Sequence, residues 1–533
     1  MSARASRGPL RVAIVGLGPK GLYALERLTA FAGSEALPVD IYEPHPTPGA
    51  GPVYDPAQPA YLRMNFAAEM VDMWPTCESD PARPSFSGWR TANAPDNTEA
   101  YPPRALVGRY LVDGFERVLE RAGSATRTEL RAEAVASIRS KGDGWEVATA
   151  EPRAYDEVLV ATGHATAWDG ALSRTATASD TLVPAVFPVE RCLSPNRVAA
   201  GSVVAVRGFA LTMIDATLAL TEGRGGHFEP GRKPYLLRYE SAHEEVATVL
   251  PYSRTGRPML AKPDPENAIA SPELDRIAAR GRARLEALPE GSPLGAAVEV
   301  VTDVASKSLH STGAAADASG DIARRLDDAL AGRATPTAAT PAEEIERSIA
   351  VGEGAAAPGV DWAIGHAWRA VYPALVTRLG AGGLREDEWP AFRRLATEME
   401  RLAFGPPPVN AAKLLALIEC GKVDLSHLDD GPAPGADLVV DAVIPPPGAA
   451  GLGQPLLKQI VRDGHARIAA GRRGLELTAD VTCVGADGTP SQGLAAIGRP
   501  TEDWVIGNDT LNRALHPQPE LWARRVAERA RAG

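Results

Sequence analysis

Val12 to Val15 is an unbroken apolar run of strand length, and from Leu22 onward apolar residues return at Leu22, Leu25 and Leu28, the spacing of one helix face. Between the two lie Gly16, Gly18 and Gly21, and a second strand, Val39-Asp-Ile-Tyr, follows and ends in Glu43. The pattern predicts strand, tight turn, helix and strand. The glycines of G-x-G-x-x-G then serve three different ends, since Gly16 makes the turn, Gly18 lets backbone approach a pyrophosphate, and Gly21 allows close helix-to-strand packing. An anion sits well at such a helix N-terminus, where unpaired N–H groups and the helix dipole favour it, so Pro19 and Lys20 belong to the same expected site. Glu43 stands roughly 20 residues beyond the turn, where a carboxylate accepts from a ribose hydroxyl. A complete βαβ fingerprint of this kind implies a bound dinucleotide.

Further along, an amphipathic helix runs from Tyr101 to about Arg121, with Leu106, Tyr110, Leu111, Phe115, Val118 and Leu119 on its apolar face. Strands follow near Ala134 to Ile138 and Trp145 to Thr149, then Glu157 to Val160, which ends in Ala161-Thr162-Gly163-His164. That ending resembles the A-T-G signature at which two-dinucleotide flavoproteins pass from the FAD domain to the NAD(P) domain. A second strand-turn-helix starts at Ser202 and keeps Gly208 alone of the glycine pattern; its next strand, from Val246, ends in Ser253, Arg254 and Arg257. An arginine there pairs with the 2′-phosphate of NADP where an NAD-specific protein places an acid, the alternative being a solvated turn.

Helix-like stretches then dominate: Glu273 to Leu288, Ile322 to Leu330, Pro341 to Ala350, Gly359 to Arg378, Trp389 to Leu402 and Val409 to Glu419. Their aromatics, Trp362, His366, Trp368, Tyr372, Trp389 and Phe392, read as core. An α/β pattern returns with Ala436 to Ile444, a helix from Leu456 to Ile468, strands near Leu475 and Val481, and a final strand, glycine turn and helix carrying Gly498, Asn508 and Asp509. The expected architecture is an α/β two-dinucleotide-binding flavoprotein: residues 1–165 the first part of a Rossmann-like FAD domain, 166–264 the NAD(P) domain, 265–430 a mostly helical insert, and 431–533 the second part of the FAD domain.

A chain of 533 residues exceeds one hydrophobic core and fits about three domains. The net charge of -11 argues against a non-specific nucleic-acid binder, which needs a basic face. The sequence contains no run of 18 apolar residues, and its first residues lack the apolar core of a signal peptide, so a cytoplasmic protein without membrane spans is expected. Cys77, Cys192, Cys420 and Cys483 stand singly, which suggests no metal, no paired dithiol for disulfide reduction, and four small buried hydrophobes.

The loop after Glu43 carries Gly49 and Gly51, where backbone can lie against a ligand, and Leu62-Arg-Met-Asn-Phe places Met64 and Asn65 along the expected path of the flavin. Arg104 and Arg109 are open between phosphate or flavin contacts and surface roles, and His164 between an acid–base role and a hydrogen-bonded loop residue.

With these stretches, Pro103-Arg-Ala-Leu-Val-Gly-Arg-Tyr-Leu and Gly498-Arg-Pro-Thr, the sequence resembles the FAD-NAD(P)-binding protein family related to class B flavin-dependent N-hydroxylating monooxygenases, including nitrosuccinate-forming aspartate N-monooxygenases of secondary metabolism. The resemblance covers the nucleotide-binding regions and the C-terminal segment well and the helical region poorly. It implies FAD bound by Gly16, Gly18, Pro19, Lys20, Gly21, Glu43, Gly49, Gly51, Met64, Asn65, Arg104, Thr162, Gly163, Gly498, Asn508 and Asp509, and NADPH at Gly208, Ser253, Arg254 and Arg257. It also implies that NADPH reduces FAD, that O2 gives a flavin C4a-hydroperoxide, and that a neutral amine of a small amino acid, L-aspartate in particular, attacks its distal oxygen. A substrate carboxylate needs cations, for which Arg63, Lys262 and Arg499 are the candidates. A homodimer is one expected assembly. Two other readings stay open: an FAD-dependent NAD(P)H oxidoreductase serving a protein or quinone acceptor, and a flavin-binding regulator without catalysis.

Overall fold

The computed structural model describes residues 9–32, 37–75, 82–123, 126–175, 181–313, 318–333, 338–451, 453–508 and 510–532. Its first sheet runs Thr482–Val484, Pro490–Ala496, Glu157–Val160, β1 (Val12–Val15), β2 (Leu37–Tyr42), Thr126–Arg131, with every neighbour parallel except the antiparallel pair at the 482–496 edge. β1 is buried at all four positions because a central parallel strand is covered on both faces and must be apolar throughout. The helix α1 (Pro19–Phe31) crosses from β1 to β2, which pair from Val12 with Val39 to Val15 with Tyr42.

Register decides where a ligand can sit. Val15 lies opposite Val160, which in turn lies opposite Ala496, so the three strands end level and release Gly16, Thr162 and Gly498 at one edge of the sheet. The carboxyl ends of parallel strands are where open α/β sheets bind their ligands. The C-terminal helix Gln518–Ala532 shares a core with α1 through Trp522, Ala523 and Val526, and it is pinned by Arg525 and Arg529, both of which donate to the buried carboxylate of Glu157.

The second sheet runs Thr248–Tyr252, Val203–Arg207, Leu438–Asp441, Leu182–Val183, all parallel. Leu438–Asp441, expected to return to the first sheet, pairs instead with Val203–Arg207 in the second. An apolar parallel strand fits either sheet by pattern, and the pairing partner is a tertiary choice. The helical stretch also divides. Pro341–Gly352 and Pro408–Glu419 place Ile345, Ile349, Leu414 and Leu415 in the second sheet's core, whereas the helices 272–286, 294–311, 318–331, 360–379 and 389–403 build a third.

Several elements escape the sequence reading, among them one strand and one long helix whose reasons are plain. Thr126–Arg131 is an edge strand with only Thr126 buried, so it lacks an apolar signature. Leu294–Ser311 is helical despite its β-branched run, because burial of Val298, Val300, Val301 and Val304 outweighs weak propensity. The helix expected to reach Ile468 is Pro455–Arg462. Trp368, Trp389 and Phe392 are core residues as expected. Among the described cysteines Cys483 alone is buried; Cys192 is half-buried, Cys420 is exposed at the end of its helix, and Cys77 lies outside the described residues. No helix of the described residues is long and apolar enough to cross a membrane.

Candidate dinucleotide site

The turn between β1 and α1 shows why three glycines stand there. Gly16 has φ +95°, and a Cβ on it would lie 2.5 Å from the Ala161 carbonyl oxygen; one on Gly21 would lie 2.3 Å from the Gly16 carbonyl oxygen. Gly18 is different. It has extended backbone as the N-cap of α1, no side chain caps the helix, and a Cβ there would meet nothing within 4 Å. The fold requires the first two glycines and leaves the third free to carry a side chain. Gly51 closes over the turn, its Cβ position 3.4 Å from Gly18 Cα, and Gly49 is held at φ +91° against the Leu111 carbonyl. Gly163 also faces open space, and a Cβ on Gly498 would touch Lys20. Backbone from four chain segments thus surrounds a helix start that no side chain caps, a cradle that fits a pyrophosphate.

Glu43 is buried at the end of β2, accepting from the Leu17 N–H at 2.6 Å through Oε2 and from the His45 N–H at 2.8 Å through Oε1. It fixes the turn, and its carboxylate has acceptor capacity for a ribose hydroxyl as well. Lys20 Nζ lies 3.1 Å from His516 Nδ1, while His516 Nε2 lies 2.9 Å from the Ile506 carbonyl. The neutral ring therefore accepts from Lys20 and donates to Ile506. Burial, then the Lys20 charge, push His516 down to about 3. Near the last strand, Glu502 accepts from the Gly507 and Asn508 N–H groups at 3.0 and 3.1 Å, and Asn508 Nδ2 donates to the Val505 carbonyl at 2.6 Å. Asp509 lies outside the described residues.

Residues 13–165 match the family model described as FAD-NAD(P)-binding. This segment is an FAD-NAD(P)-binding domain. The nitrosuccinic acid synthase npaA of Aspergillus oryzae is 33% identical over 272 residues, 48% of this chain and 41% of that protein. The nitrosuccinate-forming L-aspartate N-monooxygenase of Streptomyces cremeus is 30% identical over 301 residues, 49% of this chain and 44% of that protein. The chain thus spans less than half the length of the curated relatives it matches. The reduced form of ornithine hydroxylase from Pseudomonas aeruginosa has a TM-score of 0.50 at 9% identity, covering 98% of this chain and 99% of that one, a likeness of fold.

Around the FAD-NAD(P)-binding domain, the polar candidates divide by the partners they hold. Arg104 opens its helix but donates to Asp215 Oδ2 at 2.7 Å and to the Arg63 carbonyl at 3.0 Å, joining the first sheet's layer to the Leu211–Leu220 helix. Asp215 is buried, and burial raises its carboxyl above the usual range against the pull of Arg104. A lone acid in the apolar helix Leu211–Leu220 was the sequence signal for that contact. Arg63 pairs with Glu99, and Arg109 is exposed. Met64 is buried with its N–H on the Pro102 carbonyl, and Lys262 donates its ammonium to the Asn65 carbonyl, 5.5 Å from the centre of the Phe404 ring. Thr162 Oγ1 lies 3.4 Å from Gln454 Oε1. Arg499 covers His164, with ring nitrogens 3.0 and 3.1 Å from its guanidinium. The ring is open to solvent yet walled by protein, and desolvation, then Arg499, hold it at about 3. Tyr372, a residue the sequence did not single out for the site, reaches in from the helical layer: its hydroxyl lies 2.5 Å from where a Gly507 Cβ would be.

At the second sheet Gly208 makes the strand-to-helix turn at φ +117°, donating to the Tyr252 carbonyl at 2.8 Å. Ser253 Oγ accepts from the Gly256 N–H at 3.1 Å and Arg254 is exposed, whereas Arg257 turns away into a bidentate pair with Glu398 at 2.8 and 3.0 Å. Glu398 also pairs with Arg401. Arg257→Met should therefore lower stability by about 2 kcal/mol, the cost of leaving one buried partner short, and leave the ratio of NADPH to NADH oxidation rates as in the wild type. Thermal melts and initial rates with each nicotinamide check both halves; a shift toward NADH at unchanged stability would put Arg257 on the 2′-phosphate after all.

Proposed function

We propose that this chain is an FAD- and NADPH-dependent N-monooxygenase of the cytoplasm that oxidises the amino group of a small amino acid, L-aspartate foremost, toward a nitro product. The observation that carries the reading is that relatives named for nitrosuccinate formation align with nearly half of the chain. The cradle at Gly18 supports it, since it suits a dinucleotide pyrophosphate with the adenosine ribose on Glu43 and the flavin end toward Asn65 and Asn508. The second sheet would take NADPH at Gly208 with Ser253 and Arg254. When bound, FAD supplies the transfer of electrons from NADPH to O2 that an N-oxygenation needs.

The chain's own part is to hold and to shield. A substrate carboxylate needs a cation near the Asn65 loop, and Lys262 stands there, its ammonium already fixed on that loop's carbonyl. Arg499 stands beside His164, its guanidinium 3.0 and 3.1 Å from the ring nitrogens, and is the second candidate. Arg63, tied to Glu99, is the weakest of the three candidates.

The test uses the full chain loaded with FAD, NADPH and oxygen-18 gas. L-Aspartate should stimulate NADPH oxidation, and mass spectrometry should find the heavy label in a nitro or hydroxylamino product. NADPH oxidation indifferent to every amino acid, with all consumed oxygen recovered as peroxide, would overturn the reading; acceleration by a quinone in the same assay would turn it into electron transfer.

A further inference from the structure

Between the helices Pro341–Gly352 and Val360–Leu379 lies a chamber of about 230 Å³, lined among others by Pro263, Glu344, Arg347, Asp361, Trp362 and Arg369. At about 30 Å³ per water this is room for between seven and eight waters, ample for a small dicarboxylic acid. Its charges do not cancel. Glu344 is paired with Arg401 at 3.1 Å and Asp361 with Arg325 at 2.7 Å, so both acids on the wall are already neutralised. The two lining arginines are not. Among the described residues no carboxylate pairs with Arg369, whose Nη1 donates to the Ala403 carbonyl at 3.1 Å, and Arg347 stands at the exposed side with no hydrogen bond or ion pair. Burial lowers the Arg369 guanidinium to about 10, opposed only by the Tyr101 hydroxyl, the signature of a cation set deep without its counter-ion. A polar chamber whose net lining charge is positive is built for an anion, and planar guanidinium recognises carboxylate through two parallel hydrogen bonds.

We propose that this chamber binds a small organic carboxylate, with Arg369 as its deep cation and Arg347 as the cation at its mouth. The position relates it to the cleft. Ala261 and Pro263 line the chamber while Lys262 between them points to the Asn65 carbonyl, and the Tyr101 hydroxyl donates to the Pro263 carbonyl at 2.9 Å. One strand of chain separates the chamber from the loop where the flavin end is proposed, so the carboxylate is either the substrate's own far end or that of a second molecule sensed beside the site. Which of the two applies rests on the function proposed above; the chamber's chemistry does not.

Isothermal titration of the full-length, FAD-loaded protein with succinate and with L-aspartate tests this directly. Wild-type protein should bind both. Arg369→Met should weaken binding roughly 10- to 100-fold, the worth of a hydrogen bond to a charged group, with Arg369→Lys between the two and Arg347→Met showing a smaller loss of the same sign. The flavin spectrum and circular dichroism of each variant show that it is folded. No binding heat in wild-type protein, or affinity unchanged in both folded Arg369 variants, would overturn the proposal. Succinate that competes with L-aspartate, together with a raised KM and an unchanged kcat in Arg369→Lys, assigns the chamber to substrate; succinate that alters kcat without competing assigns it to a second carboxylate. Binding lost in Arg369→Met by a protein that never turns over an amino acid would uphold the chamber and remove the N-monooxygenase reading.

Discussion

Gly18→Leu yields a folded, colourless protein. The expectation follows from the difference between Gly18 and its neighbours. At Gly18 the backbone is extended, a conformation any residue adopts, and a Cβ would touch nothing within 4 Å, so the fold has no objection to a side chain. The ligand does. A leucine there projects into the space in front of the start of α1, which no side chain caps and where the pyrophosphate is proposed to sit, and would displace it from the N–H donors and from the helix dipole. Losing that seat should weaken FAD binding by about 4 kcal/mol or more, roughly 1000-fold, enough to purify the protein without its flavin absorbance. The melting temperature should match that of wild-type protein stripped of FAD. Gly16→Ala and Gly21→Ala are the controls: their Cβ atoms would drive into backbone carbonyl oxygens at 2.5 and 2.3 Å, so these variants should be unstable with or without flavin. A yellow Gly18→Leu protein of wild-type FAD affinity would remove the cradle from the cofactor site.

The contrast among these glycines also shows what was legible from residues alone. β1, α1 and β2 announce themselves because strand, turn and helix are set by spacing over a few residues, and the strand that ends at Val160 is just as local. Partner choice is not local. Arg257 satisfies every sequence criterion for a 2′-phosphate contact, yet its guanidinium meets Glu398, 141 residues on, because the turn after Tyr252 packs under the Trp389–Ala403 helix. Arg104 meets Asp215 across 111 residues for the same kind of reason. Leu438–Asp441 was visible as a strand but not as a member of the second sheet, since burial on both faces gives the same apolar run in either place. Arg369 was unreadable for the opposite reason. What distinguishes it is the lack of a carboxylate partner, and one arginine in a helix cannot reveal which acids its neighbours have already used.

The second large effect concerns acid. His516 is buried, accepts from Lys20 and donates to Ile506, and its folded-state value of about 3 lies well below the 6.5 of an ordinary histidine. Between those two values the unfolded chain binds a proton that the native chain refuses, so stability is fully present above about pH 6.5 and is lost as pH falls toward 3. Some three units at 1.36 kcal/mol each put the total on the order of 4 kcal/mol, with about 2 kcal/mol gone by pH 5. His366, lowered by burial to about 4, adds to the same slope. Glu26 and Glu398, held low by their arginine partners against burial, also lose stability on acidification, so the total slope does not isolate His516. His516→Gln does. Its amide can still accept from Lys20 and donate to Ile506, but it does not titrate. The difference in unfolding free energy between wild type and His516→Gln, taken from urea titrations, should therefore shrink by about 2 kcal/mol between pH 7.5 and pH 5. A difference that stays constant over that interval would mean that His516 is protonated in the native protein, and then its Nδ1 could not accept from Lys20, and the contact that ties the start of α1 to the C-terminal segment would have to be drawn differently.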